Sequence, residues 1–177
     1  MQSDEQLMLE FQKGKSPAFE ELFQRYRNPI FGFFRRRLSN MSRAEDMAQE
    51  TFIVILRGTE RYEPRAKFRT YLYAVALKLL WTERRKEVRE ARADGGDPEE
   101  VPQAGDPSAG LWIREALTHL DADHQEVLML REYEQLSYDE IALLLKIPVN
   151  TVRSRLFRAR GELKALLEPQ MTKEASQ

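Results

Sequence analysis

The chain has 177 residues, of which 42% are hydrophobic and 32% are charged, with a net charge of −1 and no cysteine. This composition is typical of a globular protein and excludes a disordered chain, a disulfide scaffold and a thiol redox switch. Apolar runs such as 52–56 are far shorter than the ~18 residues of a membrane span, and no secretion signal is present. We therefore predict a cytoplasmic protein without membrane insertion.

Charge is distributed unevenly along the chain. Residues 1–93 carry 19 Lys and Arg against 13 Asp and Glu, residues 94–110 carry five acids and no base, and residues 111–177 carry 9 bases against 11 acids. The acidic middle segment masks basic regions on either side of it. Because clustered cations are the electrostatic signature of nucleic-acid binders, the near-zero net charge does not exclude DNA binding.

Residues 1–92 show helical periodicity throughout. An opening helix runs from Asp4 to Lys13, and Ser16 is the predicted cap of a second helix that has an aromatic stripe. Pro29 is expected to kink or restart that helix. Its end carries the cationic run 35–37, which we expect to be solvated. The segment is thus predicted to be a small helical domain.

A third helix is predicted from Ser42, with Glu45 in the capping-box position, to about Arg57. Its apolar side should pack inward through Met47, Phe52, Ile55 and Leu56. Its polar side carries Asp46, Gln49 and Glu50. By chemistry alone this polar side is an ordinary solvated face.

A charged loop follows, and a fourth helix begins at Phe68. Aromatic and basic residues alternate here in a way that suits unpaired DNA, because rings stack on exposed bases at ~1–3 kcal/mol each while cations follow the backbone. The candidate residues for such contacts are Arg61, Lys67, Tyr71, Lys78, Arg84 and Arg85. For Tyr73 and Trp81, a position in the core and a contact to DNA both remain open.

Residues 93–110 contain four glycines, three prolines and five acids with almost nothing apolar, which predicts a flexible linker. Residues 111–168 then predict a second helical domain. Its first helix starts at Leu111, and Asp123 is the predicted cap of the next. The tail, residues 169–177, is expected to be disordered.

A helix-turn-helix is predicted within the second domain. Ser137 and Glu140 form a capping box that starts one short helix, and Pro148 ends the turn into another. In the second helix, apolar residues at spacings of four, three and four point inward: Val152, Leu156, Ala159 and Leu163. From residue 146 to 164 there are six bases against one acid. Such a cationic helix fits the DNA major groove.

Two stretches resemble a known family. I-P-V-N-T-V-R-S-R-L-F-R-A-R, residues 147–160, and the preceding L-R-E-Y-E-Q-L-S-Y-D-E-I-A resemble region 4 of the extracytoplasmic-function (ECF) group of bacterial RNA polymerase sigma factors. D-M-A-Q-E-T-F, residues 46–52, resembles region 2.2 of the same family. The resemblance implies an all-α fold with two small helical domains, a region 2 bundle and a region 4 helix-turn-helix, joined by the linker.

The resemblance also implies partners and site residues. Region 2 would bind the β′ coiled coil of core RNA polymerase and the minus-10 element of promoter DNA, region 4 would bind the β flap and the minus-35 element, and an anti-sigma factor would regulate both. Polymerase contacts fall on Asp46, Gln49 and Glu50. Contacts to the minus-10 element fall on the six aromatic and basic residues named above. Contacts to the minus-35 element fall on Arg131, Asn150, Thr151, Arg153, Ser154, Arg155, Phe157 and Arg158.

The chain departs from the family at several positions. Gln135, Lys146 and Asn150 stand where the family usually has glycine, and Tyr71 stands where it usually has tryptophan. Trp81 falls where the family is merely apolar. Lys78 and Thr82 stand where the family usually has asparagine and aspartate. The departures at Tyr71, Lys78 and Thr82 leave the minus-10 preference open.

Two rival functions would each need features that the sequence does not show. A helix-turn-helix regulator that acts without joining the polymerase would need a receiver domain, but residues 1–93 show no strand periodicity. A DNA-acting enzyme would need a nucleophile beside clustered arginines, and no such constellation appears. His119 and His124 have no metal-ligand companions. We therefore expect a non-enzyme with no cofactor and no metal.

Overall fold

A computed structural model describes residues 1–93, 95 and 110–174, with side chains up to residue 168. Over these residues the regular structure consists of eight α-helices and one 3₁₀ turn, without strands. The chain divides into two compact units, Met1–Val101 and Pro102–Gln177. The predicted all-α fold with two small domains is thus confirmed. Most of the predicted linker, residues 94 and 96–109, lies outside the described residues.

Four helices build the first unit: α1 (Asp4–Gln12), α2 (Ser16–Arg35), α3 (Met41–Gly58) and α4 (Phe68–Ala93), with the 3₁₀ turn at Thr59–Arg61 between α3 and α4. Each helix contributes fully buried side chains to one core, among them Leu7, Leu22, Phe33, Ile55 and Leu72. Within α3, for example, the buried residues Ala44, Met47, Thr51 and Ile55 follow one another at three or four residues, as expected for a helix that buries one face.

Two expectations about α2, a cap at Ser16 and a restart at Pro29, were wrong. The N-cap is Lys15, and Ser16 is already the first residue of the helix. Pro17 therefore occupies the second helical position. The helix also continues through Pro29 without a restart. Pro29 is exposed, so water can replace the backbone hydrogen bond that proline removes. Buried Leu22 and Ile30 on either side hold both halves against the core.

Arg37 is buried and not part of a solvated helix end, with 2% of its surface exposed. Its guanidinium lies over the Phe33 ring, 3.9 Å from the centroid, and Nη1 donates to the Phe33 carbonyl at 3.2 Å. Guanidinium is planar and weakly hydrated, so it tolerates this position better than an ammonium group would. The arginine run therefore includes one residue that stabilises the core.

The start and the inner face of α3 also differ from the prediction. Asn40 caps the helix, because its Oδ1 accepts from the Arg43 N–H at 3.0 Å, and Ser42 is already inside the helix. Leu56 is 41% exposed and does not join the core. The exposed face of α3 is therefore partly apolar.

The second unit consists of α5 (Leu111–Thr118), α6 (Ala122–Glu132), α7 (Tyr138–Leu145) and α8 (Val149–Glu174). Asp121, and not Asp123, caps α6, because its Oδ1 accepts from the Asp123 N–H at 3.0 Å. The predicted tail was also wrong over residues 169–174, since α8 continues through them. One proline within a helix removes one backbone hydrogen bond and need not end it.

The helix-turn-helix is confirmed. Ser137 Oγ accepts from the Glu140 N–H at 3.2 Å, and the Glu140 carboxylate accepts from the Ser137 N–H at 2.7 Å. The turn itself is left-handed at Lys146, with φ of 56°, and the chain is also left-handed at Gln135, with φ of 54°. Both residues stand where the resemblance led us to expect glycine. A side chain in this region costs about 1 kcal/mol or more.

Replacing Lys146 with glycine should therefore stabilise the second unit by about 1 kcal/mol, because glycine adopts this φ without a steric cost. Urea unfolding of the full chain, followed by circular dichroism, measures the change. Lys164→Gly is the matched control, because Lys164 is an exposed lysine inside α8. That control should destabilise the unit by about 1 kcal/mol. Equal effects of both substitutions would contradict the assignment of strain to the turn.

Candidate nucleic-acid interface

Helix α8 has one buried face and one exposed cationic face. Val152, Leu156 and Ala159 are fully buried against the other helices of the unit. The spacing of four and three residues places these side chains on one side. Arg153 and Arg158, which lie between them in sequence, are therefore exposed.

The exposed face also carries a large aromatic side chain. Phe157 is 81% exposed and lies between the two exposed arginines in sequence. A phenylalanine side chain that is this exposed contributes almost no burial free energy to the isolated unit. It is therefore a candidate for contact with a partner. At the start of the helix, Asn150 Oδ1 accepts from Arg153 Nη1 at 3.1 Å, and Ser154 Oγ donates to the Thr151 carbonyl at 3.0 Å.

The other arginines associated with this helix have partners inside the unit. Arg155 pairs with Asp123 on α6 at 2.5 Å, and Arg160 pairs with Glu132 on α6 at 2.9 Å. Arg131 donates from Nη1 to the Leu136 carbonyl at 2.9 Å. The structure thus groups most of the predicted minus-35 residues on one surface, while Arg155 also ties α8 to α6.

A shallow depression of about 420 Å³ lies between α7 and α8. Its mostly apolar lining mixes aromatic rings with cationic stems, from Tyr138, Arg153, Leu156, Phe157, Arg160, Gly161 and Lys164. The depression therefore adjoins the exposed cationic face and extends the surface available to a partner.

In the first unit, α1 holds the loop between α3 and α4. The Gln12 side-chain amide nitrogen lies 2.9 Å, 3.2 Å and 3.1 Å from the carbonyl oxygens of Thr59, Glu60 and Tyr62. The Glu5 carboxylate accepts from the Phe68 N–H at 2.7 Å and so caps α4. No local sequence signal predicted these contacts, because the partners are about fifty to sixty residues apart.

An aromatic cluster lies where this loop enters α4. The Tyr62 ring is 5.5 Å from that of Tyr71 and 6.2 Å from that of Phe68, measured between centroids. Burial raises the pKa of Tyr62 to about 12, and it also raises the pKa of Tyr71. Both hydroxyls therefore remain protonated at neutral pH. Tyr71 is half-buried, so only part of its ring is available to a ligand.

The remaining predicted minus-10 residues are spread over the loop and α4. Arg61 and Lys67 are exposed in the loop region. On α4, Lys78 and Arg85 are exposed and lie seven residues apart, hence on one side of the helix, whereas Arg84 is half-buried and turned away from them.

The predicted polymerase contacts lie together on α3. Asp46 and Gln49 are exposed and Glu50 is half-buried. Arg43 on the same helix donates from Nε to the Glu83 carboxylate of α4 at 2.5 Å. This pair fixes the polar face of α3 relative to α4.

Features of other site classes are absent within the described ranges. None of the described helices combines the length and the apolar composition that a membrane span requires. Nor do His, Asp and Glu side chains of that part of the chain form a group of three or more that could hold a metal ion.

Comparison with known proteins identifies the family. Residues 22–90 match the model "Sigma-70 region 2", and residues 110–163 match the model "Sigma-70, region 4". RNA polymerase sigma factor CarQ of Myxococcus xanthus is 33% identical, over 90% of this chain and 95% of its own length. The ECF RNA polymerase sigma-E factor of Haemophilus influenzae is 31% identical, over 96% of this chain and 97% of its own length.

The chain belongs to the ECF group of the sigma-70 family. A solved structure supports the same assignment for the fold: the sigma factor RpoE of Bartonella quintana, determined in complex with the anti-sigma factor NepR. It has a TM-score of 0.72 and 25% identity, over 85% of this chain and 96% of that one. In this sigma factor, α8 is the second helix of the region 4 helix-turn-helix, and the loop clamped by α1 belongs to region 2.

Gln12→Ala should loosen the region 2 loop without unfolding the unit. Removing the amide leaves three carbonyl oxygens without their shared donor. We expect this loss to lower the free energy of opening the loop by about 1 kcal/mol. Amide hydrogen exchange over residues 59–67 should become about fivefold faster, as measured by mass spectrometry of the full chain. Gln24→Ala, at an exposed position of α2, is the control and should leave this exchange unchanged. Unchanged exchange in Gln12→Ala would show that the contacts do not hold the loop.

Proposed function

We propose that this sigma factor directs promoter-specific transcription initiation by joining core RNA polymerase and by binding the minus-10 and minus-35 elements. The observation that carries the proposal is the division of α8 into three fully buried residues and an exposed face with Arg153, Phe157 and Arg158. Because different residues form the two faces, the cations and the aromatic side chain can contact a partner while the buried residues keep their packing.

The minus-35 contacts are assigned to the exposed face of α8. Arginine can bind phosphate or guanine edges in the major groove, and each good bidentate contact discriminates by about 1–3 kcal/mol. Asn150 and Thr151 lie at the start of the helix, which is the end that enters the groove in helix-turn-helix proteins. Arg131 and Arg155 would then support the surface as well as contact the backbone.

The minus-10 contacts are assigned to region 2. Arg61 and Lys67 are exposed in the loop region, while Lys78 and Arg85 share one side of α4. Tyr71 stands beside the same loop through its contact with Tyr62. This arrangement supports a surface on which separated DNA strands can be held by cations and rings.

The polymerase contacts are assigned to the exposed face of α3. Asp46, Gln49 and Glu50 supply carboxylates and an amide, and Leu56, nearer the end of the helix, supplies exposed apolar surface. Acidic groups beside exposed apolar surface suit a basic partner helix, because charge complementarity steers association while apolar burial holds the complex.

The sigma factor itself needs no catalytic group in this role, since the polymerase makes the RNA. It would act in the cytoplasm, where the polymerase acts. We also propose regulation by an anti-sigma factor, which is supported by the RpoE structure in complex with NepR. A regulator that acts without the polymerase is the rival function, and binding to core polymerase distinguishes the two.

The double variant Arg153→Ala, Arg158→Ala should lose promoter recognition. Loss of two arginine contacts should lower specific transcription at least tenfold. The measurement uses core polymerase with templates selected from a random-sequence pool by the wild-type holoenzyme. Arg27→Ala, an exposed arginine on α2, is the control. Undiminished transcription by the double variant would contradict the assignment of α8.

Asp46→Lys should weaken binding to core polymerase, because it places a cation where the proposed partner is basic. We expect at least a fivefold increase in the dissociation constant, measured by fluorescence anisotropy of labelled sigma factor. Glu20→Lys makes the same charge change at an exposed site on α2 and should have little effect. If both substitutions weaken binding equally, the effect is one of net charge and not of the α3 surface.

A further inference from the structure

The C-terminal half of α4 exposes a tryptophan. Trp81 is 42% exposed, whereas Tyr73 on the same helix is buried with 4% exposed. The sequence left open whether each residue belongs to the core, and the structure separates them. Because an indole ring in water forgoes the free energy of burial, an exposed tryptophan is a candidate for contact with a ligand.

Cations surround this ring on the same side of the helix. Lys78 precedes Trp81 by three residues and Arg85 follows it by four, so both lie next to it on the helix surface. Arg89 continues the row, and all three basic side chains are exposed. Arg85 Nη2 lies 3.4 Å from Thr82 Oγ1, so its guanidinium is held on the exposed side of the helix.

The acids of this helix segment lie on other sides of it. Glu83 accepts from Arg43 of α3, and Glu87 contributes to the raised pKa of Arg43, whose largest cause is the hydrogen bond to Glu83. Glu90 pairs with Lys86 at 3.8 Å. The exposed strip Lys78, Trp81, Arg85 and Arg89 therefore contains bases and one ring, with no carboxylate among its members.

We propose that Trp81 stacks on an unpaired nucleobase of the opened promoter while Lys78, Arg85 and Arg89 follow the phosphates of that strand. The proposal rests on the proposed function, in which region 2 holds separated strands. It adds a stacking residue at a position to which the family resemblance gives no DNA contact.

The dimensions of the strip suit a short single strand. From Lys78 to Arg89 the helix rises about 16 Å, which is roughly five nucleotides at the 3.4 Å spacing of a duplex strand and fewer in a more extended unpaired strand. Paired bases offer no free face to an indole ring, whereas every unpaired base does. A lipid surface would require a broader apolar face than Trp81 and Val88 provide.

Tryptophan fluorescence tests the stacking directly. The chain has two tryptophans, Trp81 and Trp112, so a full-length Trp112→Phe variant reports on Trp81 alone. We expect quenching by a mixed-sequence 12-nucleotide single strand at low salt, and weaker quenching as salt increases. The same sequence as a duplex, or phosphatidylserine vesicles, should quench less. No quenching by the single strand, or stronger quenching by duplex or vesicles, would overturn the proposal.

Variants of Trp81 in the holoenzyme test its role in promoter opening, measured by permanganate reactivity of unpaired thymines on the selected templates. Trp81→Leu should reduce open complexes about 5- to 150-fold, because it removes a stack of ~1–3 kcal/mol. Trp81→Phe should stay within about threefold of wild type, because it keeps a ring. Binding of each variant to core polymerase should be unchanged.

The two proposals fail in different ways. If the wild-type holoenzyme initiates and Trp81→Leu opens promoters as well as Trp81→Phe does, the stacking proposal is wrong and the proposed function stands. If the wild-type chain neither binds core polymerase nor supports specific initiation, the proposed function is wrong. The proposal that Trp81 stacks on promoter DNA is then wrong as well.

Discussion

The burial of Val152, Leu156 and Ala159 determines how α8 is rotated in its unit, and the proposed recognition surface depends on that rotation. A helix that buries one face must expose the other, so the positions of the exposed arginines follow from apolar packing alone. Turning the helix by one residue would place Arg153 in the core, where an unpaired charge is far too costly. The packing of the region 4 core thus determines which residues of α8 are exposed to a partner.

Basic residues divide into two groups throughout this sigma factor. Some hold the fold, as Arg37 does above Phe33, Arg43 does with Glu83 and Arg155 does with Asp123. Others, such as Arg153 and Arg158, are exposed on one face. Counting cations in the sequence therefore overestimates the charge available to DNA. What matters is which cations have carboxylates within reach after folding.

Periodicity in the sequence predicted the helices, the helix-turn-helix and three fully buried residues of α8, because these depend on neighbours close in sequence. The fourth residue expected to point inward, Leu163, is only half-buried. Helix starts were less predictable where two capping residues compete, as Asn40 and Ser42 do before α3. The pairing of Arg155 had no sequence signal, since Asp123 comes from another helix. The exposure of Trp81 was also undetermined, because apolar residues occur on several sides of α4.

The Gln12 amide donates to the carbonyl oxygens of Thr59, Glu60 and Tyr62, and so links parts of the chain about fifty residues apart. The shape of this loop is consequently a property of the folded bundle and not of the loop's own sequence. A chimera that received only residues 59–67 from this sigma factor would have the side chains of the loop but not the backbone conformation that Gln12 holds. Exchanging promoter preference between relatives would therefore mean moving the first helix together with the loop.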